Sequence, residues 1–248
     1  MGPQYNWFVK QLTAARKDKK AVLLALHYPP YSGMTNFESR GNPKWSNPGG
    51  GAAPLVRYPG AEPLANVLQQ AFEDAGQRPD AVFSAHAHLY QRITYTYLDG
   101  YEIPYLIVGS GGHGVSPEGL KPGDPGYYLM PEQLTESCAG KRGKDQLSFP
   151  YHLVQPDGLK IASGDQAVVS CVNDRDFGFL RVTVDMQSTP PLLTGEFFAV
   201  PISSAVEPPY ATYPPWPTGP DRLPSAPFVY DSFSLILDST DPAKHKLL

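Results

Sequence analysis

Hydrophobic and polar positions change period several times along the 248-residue chain. Over residues 4 to 17, Trp7, Phe8, Leu12 and Ala15 fall on roughly one face of a 3.6-residue repeat, which predicts an amphipathic helix. The run AVLLALH (21–27) is apolar up to its closing histidine, as expected of a strand covered on both faces in a parallel sheet, and YPPYSG stops it. From Gly41 to Pro63 the chain is rich in Gly and Pro and reads as a long loop. Helical spacing resumes over 64–75 through Leu64, Val67, Leu68, Ala71 and Phe72, with Gly76 as a C-terminal stop. DAVFSAH (80–86) then reads as a second buried strand. Helix, strand, loop, helix, strand is the grammar of an α/β fold.

Beyond residue 92 the period drops to two. Ile93, Tyr95 and Tyr97 alternate with Thr94, Thr96 and Leu98, LDGYE turns, and IPYLIVGSGG returns, which predicts a hairpin. Residues 113 to 176 hold only a few short apolar runs among Gly, Pro, Lys and Asp and read as an insertion. FGFLRVTVD, LLTGEFFAV and FVYDSFSLILD have strand character and close the chain, interrupted by a Pro-rich excursion from Glu207 to Pro227. There is no internal repeat and no clear domain boundary. We therefore expect a single domain over 1–248, with a core in 1–112, the insertion in 113–176, and closing strands with a Pro-rich tail in 177–248.

Composition narrows the partners. With 41% apolar residues the chain can close a core, and 28 prolines beside 23 glycines predict long loops. A formal charge of −4 carries no footprint for nucleic acid or an anionic membrane, so a small molecule is the expected partner. No apolar stretch approaches the ~20 residues that span a bilayer, and the first twenty residues lack the apolar block of a signal peptide, which leaves the compartment undetermined. Cys138 and Cys171 are separated by 32 residues; two unpaired thiols are expected, with a disulfide as the alternative.

The chemistry-bearing residues sit at predicted strand ends. His27 closes one buried run, and His86 and His88 close another. In parallel sheets the carboxyl ends of the strands share one edge, where ligands bind. Three imidazoles gathered there can hold a divalent ion with a position left for water. Against this stands the bland alternative, a satisfied structural histidine and an unrelated His-x-His pair.

LLALHYPPYSG, FSAHAHLYQR and YLIVGSGGHG, in that order, resemble the C-terminal half of calcineurin-like metallophosphoesterases of the purple acid phosphatase type. The family's histidine before Pro-Pro-Tyr-Ser matches His27, and its Gly-His-x-His matches residues 85 to 88 with alanine at position 85. The residues that follow that motif match Tyr90, Gln91 and Arg92. QYNWFVKQL resembles the helix that the family carries just upstream, and FGFLRVTVD and DSFSLILD resemble closing strands of bacterial members. The resemblance implies part of a four-layer α/β/β/α sandwich, with the N-terminal half absent and C-terminal β-strands added. It implies hydrolysis of a small phosphate ester by two divalent or trivalent ions of Fe, Mn or Zn. His27 and His86 would ligate one ion and His88 the other, and a hydroxide between the ions would attack phosphorus in line.

The family's remaining ligands, an Asp-x-His, a Gly-Asp-x-x-Asp/Tyr and a Gly-Asn-His-Asp/Glu, have no counterpart before His27. A bridging carboxylate screens cations held roughly 3.5 to 4 Å apart, and neutral imidazoles do not. At most partial metal binding is therefore expected of this chain, with the rest supplied by a missing N-terminal half or a partner chain. The strands at 21–27 and 80–86 would then have an uncovered face or an unpaired edge. Two alternatives remain open: a mononuclear zinc hydrolase on His27, His86 and His88, and a noncatalytic remnant of the family.

Around the histidines, Arg92 can meet a phosphate or form an ion pair that structures the strand end. His113 can face substrate from GSGGHG or be a plain loop residue, and Tyr28, Tyr31 and Tyr90 can line a pocket or pack against one another. Asn36 and Glu38 are weaker candidates for substrate contact, while His152 and His245 read as incidental.

Overall fold

The computed structural model describes residues 2–31, 64–85, 89–111, 151–152, 162–173, 177–200, 226–238 and 241–248. Helix α1 (Pro3–Lys17) leads into β1 (Leu23–Ala25), and α2 (Leu64–Ala75) into β2 (Ala81–Ser84). The hairpin β3 (Tyr90–Thr96) and β4 (Glu102–Val108) follows, then β5 (Tyr151–His152), β6 (Gln166–Asn173), β7 (Phe177–Asp185), β8 (Leu192–Val200) and β9 (Phe228–Ile236). Six strands form one sheet in the order β1-β2-β4-β3-β6-β5, and the other three form an antiparallel sheet, β7-β8-β9. β1, β2 and β4 are mutually parallel, whereas β3 and β6 run against their neighbours. The chain is thus mixed α/β, with two sheets and few helices.

Residue periodicity decides what each face covers. Leu12 of α1 and Leu68 and Phe72 of α2 pack over Val22, Leu24 and Leu26. Ile93 and Tyr95 of β3, and Tyr97 just past it, join Ile103, Tyr105 and Ile107 of β4 on the helix side of the larger sheet. Tyr90, Leu106 and Cys171 point the other way, onto Leu193, Phe197, Phe233 and Leu235 of the smaller sheet. Among the described residues the layers therefore run helices, larger sheet, smaller sheet.

Several expectations need correction. Trp7 is 60% exposed while Phe8 and Leu12 face the sheet, because adjacent helical residues are about 100° apart and the pair one turn apart is the one that shares a face. The run 21–27 is not covered on both faces. Only Leu23–Ala25 is strand, it lies at the sheet edge, and Leu23 is 43% exposed. Among the described residues, the exposed face and unpaired edge expected of both strands thus occur in β1, but not in β2, which is hydrogen-bonded on both sides and mostly buried. The stretch read as an insertion contributes β6, an inner strand of the larger sheet. Cys171 is disulfide-bonded rather than a free thiol; Cys138, the chain's other cysteine, lies outside the described residues. Sequence separation carries no information on which thiols meet in space.

His245, read as incidental, is fully buried. Its Nε2 lies 2.9 Å from Asp80 Oδ1, its Nδ1 lies 3.1 Å from the Glu102 carbonyl oxygen, and its ring stacks on Tyr101 at 3.8 Å. Asp80 is also fully buried and accepts bonds from both Nη atoms of Arg16, at 3.0 and 2.8 Å, and from the Val22 N–H. Burial alone would raise the Asp80 carboxyl; hydrogen bonds from His245 and Arg16 hold it below its ordinary range.

Removing the imidazole takes one donor from a buried carboxylate and opens a void, so His245→Ala is expected to lower stability by about 2–4 kcal/mol in urea unfolding. Because the folded-state pKa of Asp80 lies below its unfolded value of about 4, its contribution is complete above that pH and is lost as the pH falls through the acid range. Melting temperature followed from pH 6 to pH 2 should drop, with a shallower slope for Asp80→Asn.

Candidate functional site

The parallel arrangement of β1, β2 and β4 sends their carboxyl ends to one edge of the larger sheet. Past β1, the Leu26 N–H donates to the Phe83 carbonyl at 2.8 Å, and the Ala85 N–H donates to the His27 carbonyl at 3.0 Å. Past β4, the Gly109 N–H donates to the Leu89 carbonyl at 3.0 Å, and the Gly178 N–H donates to that of Ser110 at 3.2 Å. Backbone hydrogen bonds thus join the segments that carry LLALHYPPYS, FSAHAHLYQR and YLIVGSGG. His27 is exposed at this edge, with its ring edge-on to Tyr28 at 4.9 Å. His86, His88, His113, Asn36 and Glu38 lie outside the described residues. Among the described residues no three His, Cys, Asp or Glu side chains form a group that could hold a metal ion.

Two residues expected near substrate are engaged elsewhere. Tyr31 is buried, its ring against Tyr95 at 5.4 Å and Tyr105 at 4.7 Å, and its hydroxyl accepts from Gln69 Nε2 at 3.2 Å. This is the packing alternative: the two prolines before Tyr31 carry it back under α2. The Arg92 guanidinium makes a two-pronged pair with Asp231 of β9, with Nε at 2.8 Å and Nη2 at 3.0 Å. The Tyr90 hydroxyl donates to the same carboxylate at 2.7 Å, and its ring stacks on Phe197 at 3.9 Å. Burial works against the Arg92 charge, but the bonds and charge of Asp231 outweigh it and raise the pKa. The ion-pair role weighed for Arg92 is the one whose partner is in place, and Tyr90 is packed between the sheets rather than along a pocket.

The same edge holds a polar group that the sequence reading did not single out. Ser110 is fully buried and its hydroxyl has no hydrogen-bond partner among the described residues. An unsatisfied buried hydroxyl costs about 1–3 kcal/mol. Nothing in the GSGG pattern signals it, because satisfaction depends on neighbours distant in sequence.

A cavity of about 1080 Å³ lies at the opposite end of the sheet, between α2 and the hairpin turn, lined by residues that include Gln69, Arg78, Tyr97, Asp99 and Asp165. Many of its polar groups are bonded to one another: Arg78 to Asp99 at 2.7 Å, Tyr97 to Gln69 at 2.9 Å and Tyr95 to Asp165 at 2.8 Å. Comparison of the chain with protein-family models, with curated proteins and with solved structures returns no match.

Because Arg92 and Asp231 are both largely buried, Arg92→Leu is expected to cost about 3–5 kcal/mol by leaving a buried carboxylate unpaired, and the Arg92→Leu/Asp231→Leu double variant should regain much of it. Guanidinium unfolding of the four-member cycle measures this. A single variant as stable as the parent would release Arg92 for a substrate role.

Proposed function

We propose that this chain is the C-terminal portion of a metal-dependent phosphoesterase of the calcineurin-like type, with its metal site at the carboxyl edge of the larger sheet. The observation that carries this reading is the Ala85 N–H bond to the His27 carbonyl at 3.0 Å, one residue before His86. It joins the first and second motifs, and the Leu89–Gly109 bond brings the third alongside.

The donor chemistry fits in part. His27 and His86 would hold one ion and His88 the other, and neutral imidazoles suit Fe, Mn and Zn alike. When bound, two such ions generate a nucleophile from water near neutral pH and neutralise charge on the phosphoryl oxygens of a small ester. The residues around the histidines act as their mount. Tyr31 anchors the chain just past His27 in the core, and the Arg92–Asp231 pair fixes β3 just past His88. His113 remains the substrate-side candidate. The exposed outer strand β1 supports the wider reading, in which helices, larger sheet and smaller sheet are part of a four-layer sandwich completed by an N-terminal half or a partner chain.

A second reading draws on the same bond. Three histidines at adjacent strand ends can serve a single zinc ion, with hydrolysis from one metal.

Hydrolysis of p-nitrophenyl phosphate with added manganese, iron or zinc tests both. Metal-dependent turnover that falls at least about a hundredfold in His27→Ala and in His88→Ala is expected. Turnover unchanged in both variants would remove the proposal, and full turnover with one bound ion per chain would select the mononuclear reading.

A further inference from the structure

We propose that the disulfide at Cys171 is a staple that the fold is built to accept, that this chain matures in an oxidising compartment, and that its stability depends on that bond. The observation that carries this is a β-bulge. Along β3 and β6, Arg92 pairs with Cys171 but Ile93 pairs with Val169, so Ser170 is an extra residue. Side chains alternate across a strand, and without the extra residue Cys171 would share the helix-side face of Val169. The bulge turns it to the opposite face, where Cys171 is fully buried among Tyr90, Leu193, Phe197 and Leu235, while Val169 stays in the other core. The Ser170 hydroxyl, 3.1 Å from that of Thr94, settles the displaced residue. Strand β6 thus interrupts its own ladder to deliver one sulfur between the sheets.

The chain's other cysteine is Cys138, so the bond closes a loop of 32 intervening residues that ends on an inner strand of the larger sheet. Its formation is a thiol–disulfide exchange with an external protein or low-molecular-weight disulfide. The two chain thiols give up two protons and two electrons, one sulfur–sulfur bond forms in the chain, and the acceptor's bond breaks to yield two thiols. Reducing cytosol maintains the opposite balance, so a structural disulfide at a fully buried strand position belongs to an extracytoplasmic or secretory setting. Reduction leaves the Cys171 thiol as a small apolar group that the core tolerates. The effect of losing the bond therefore falls on the constraint it places on the unfolded chain, not on packing around β6.

The full chain, produced once in a reducing cytosol and once through an oxidising export route, tests this by iodoacetamide labelling in denaturant, mass spectrometry and melting. The exported chain is expected to take no label before reduction and two labels after it, and to melt about 10 °C above the reduced, unlabelled chain. After reduction without denaturant, peptide mapping should find Cys171 still unlabelled, as its burial requires. Two labels on the exported chain before reduction, or equal melting temperatures for the oxidised and reduced forms, would overturn the proposal. Neither readout involves phosphoesterase activity, so the staple stands or falls apart from the metal-site reading.

Discussion

A carboxylate withdrawn from water must be met by donors, and Asp80 obtains its donors from four separate parts of the chain. Arg16 comes from the end of α1, the Val22 N–H from the approach to β1, the Tyr101 hydroxyl from the end of the hairpin turn at 3.4 Å, and His245 from the last eight residues. None of these segments can move away without leaving charge in an apolar interior. The constraint fixes how α1, β1 and β4 sit against the start of β2. It also closes the C-terminal end: the Glu102 N–H donates to the His245 carbonyl at 2.9 Å, and Ile236 and Leu248 continue the pairing along β9. Fixing the amino ends of β1, β2 and β4 in this way sets the register with which their carboxyl ends reach the opposite edge.

A second buried carboxylate does the same between the sheets. Asp231 receives Arg92 and Tyr90 from β3, so the strand that begins just past the His-x-His pair is bound to the middle of the smaller sheet. The polar residues that make this motif look chemically rich are thus absorbed by the architecture. The bulge that aims Cys171 into the same layer lies on the neighbouring strand, opposite Arg92, so the ion pair and the disulfide-bonded Cys171 are neighbours there.

The two ends of the larger sheet differ in character. At the hairpin-turn end, the tyrosine, arginine and carboxylate groups of the cavity bond to one another. At the other end stand the exposed His27, a serine hydroxyl with no partner among the described residues, and chain segments of all three motifs. Carboxyl ends of parallel strands are where α/β proteins place ligand-binding groups. The proposed metal site follows from that contrast together with the motif resemblance.

Much of this was legible in the chain. The strands at 177–185, 192–200 and 228–236, the hairpin with its turn at Gly100, and the helix ending before Gly76 follow from residue period and from glycine's access to positive φ, observed as 85° and 60° at the two glycines. The placement of His27 at a strand end beside residue 85 was equally readable, because parallel strands of like length end together. Other features were decided by tertiary structure alone. QAVVSCVN looked like part of a polar insertion because its neighbours are polar, and only pairing with β3 makes it an inner strand. Trp7 and Leu23 are apolar yet exposed, because an apolar residue does not reveal whether another layer exists to cover it. His245, Arg92 and Tyr31 were misjudged or left open for one common reason. A side chain's pattern along the chain sets which way it points, but its role depends on the group it meets, and for these three that group lies 143 or 165, 139 and 38 residues away.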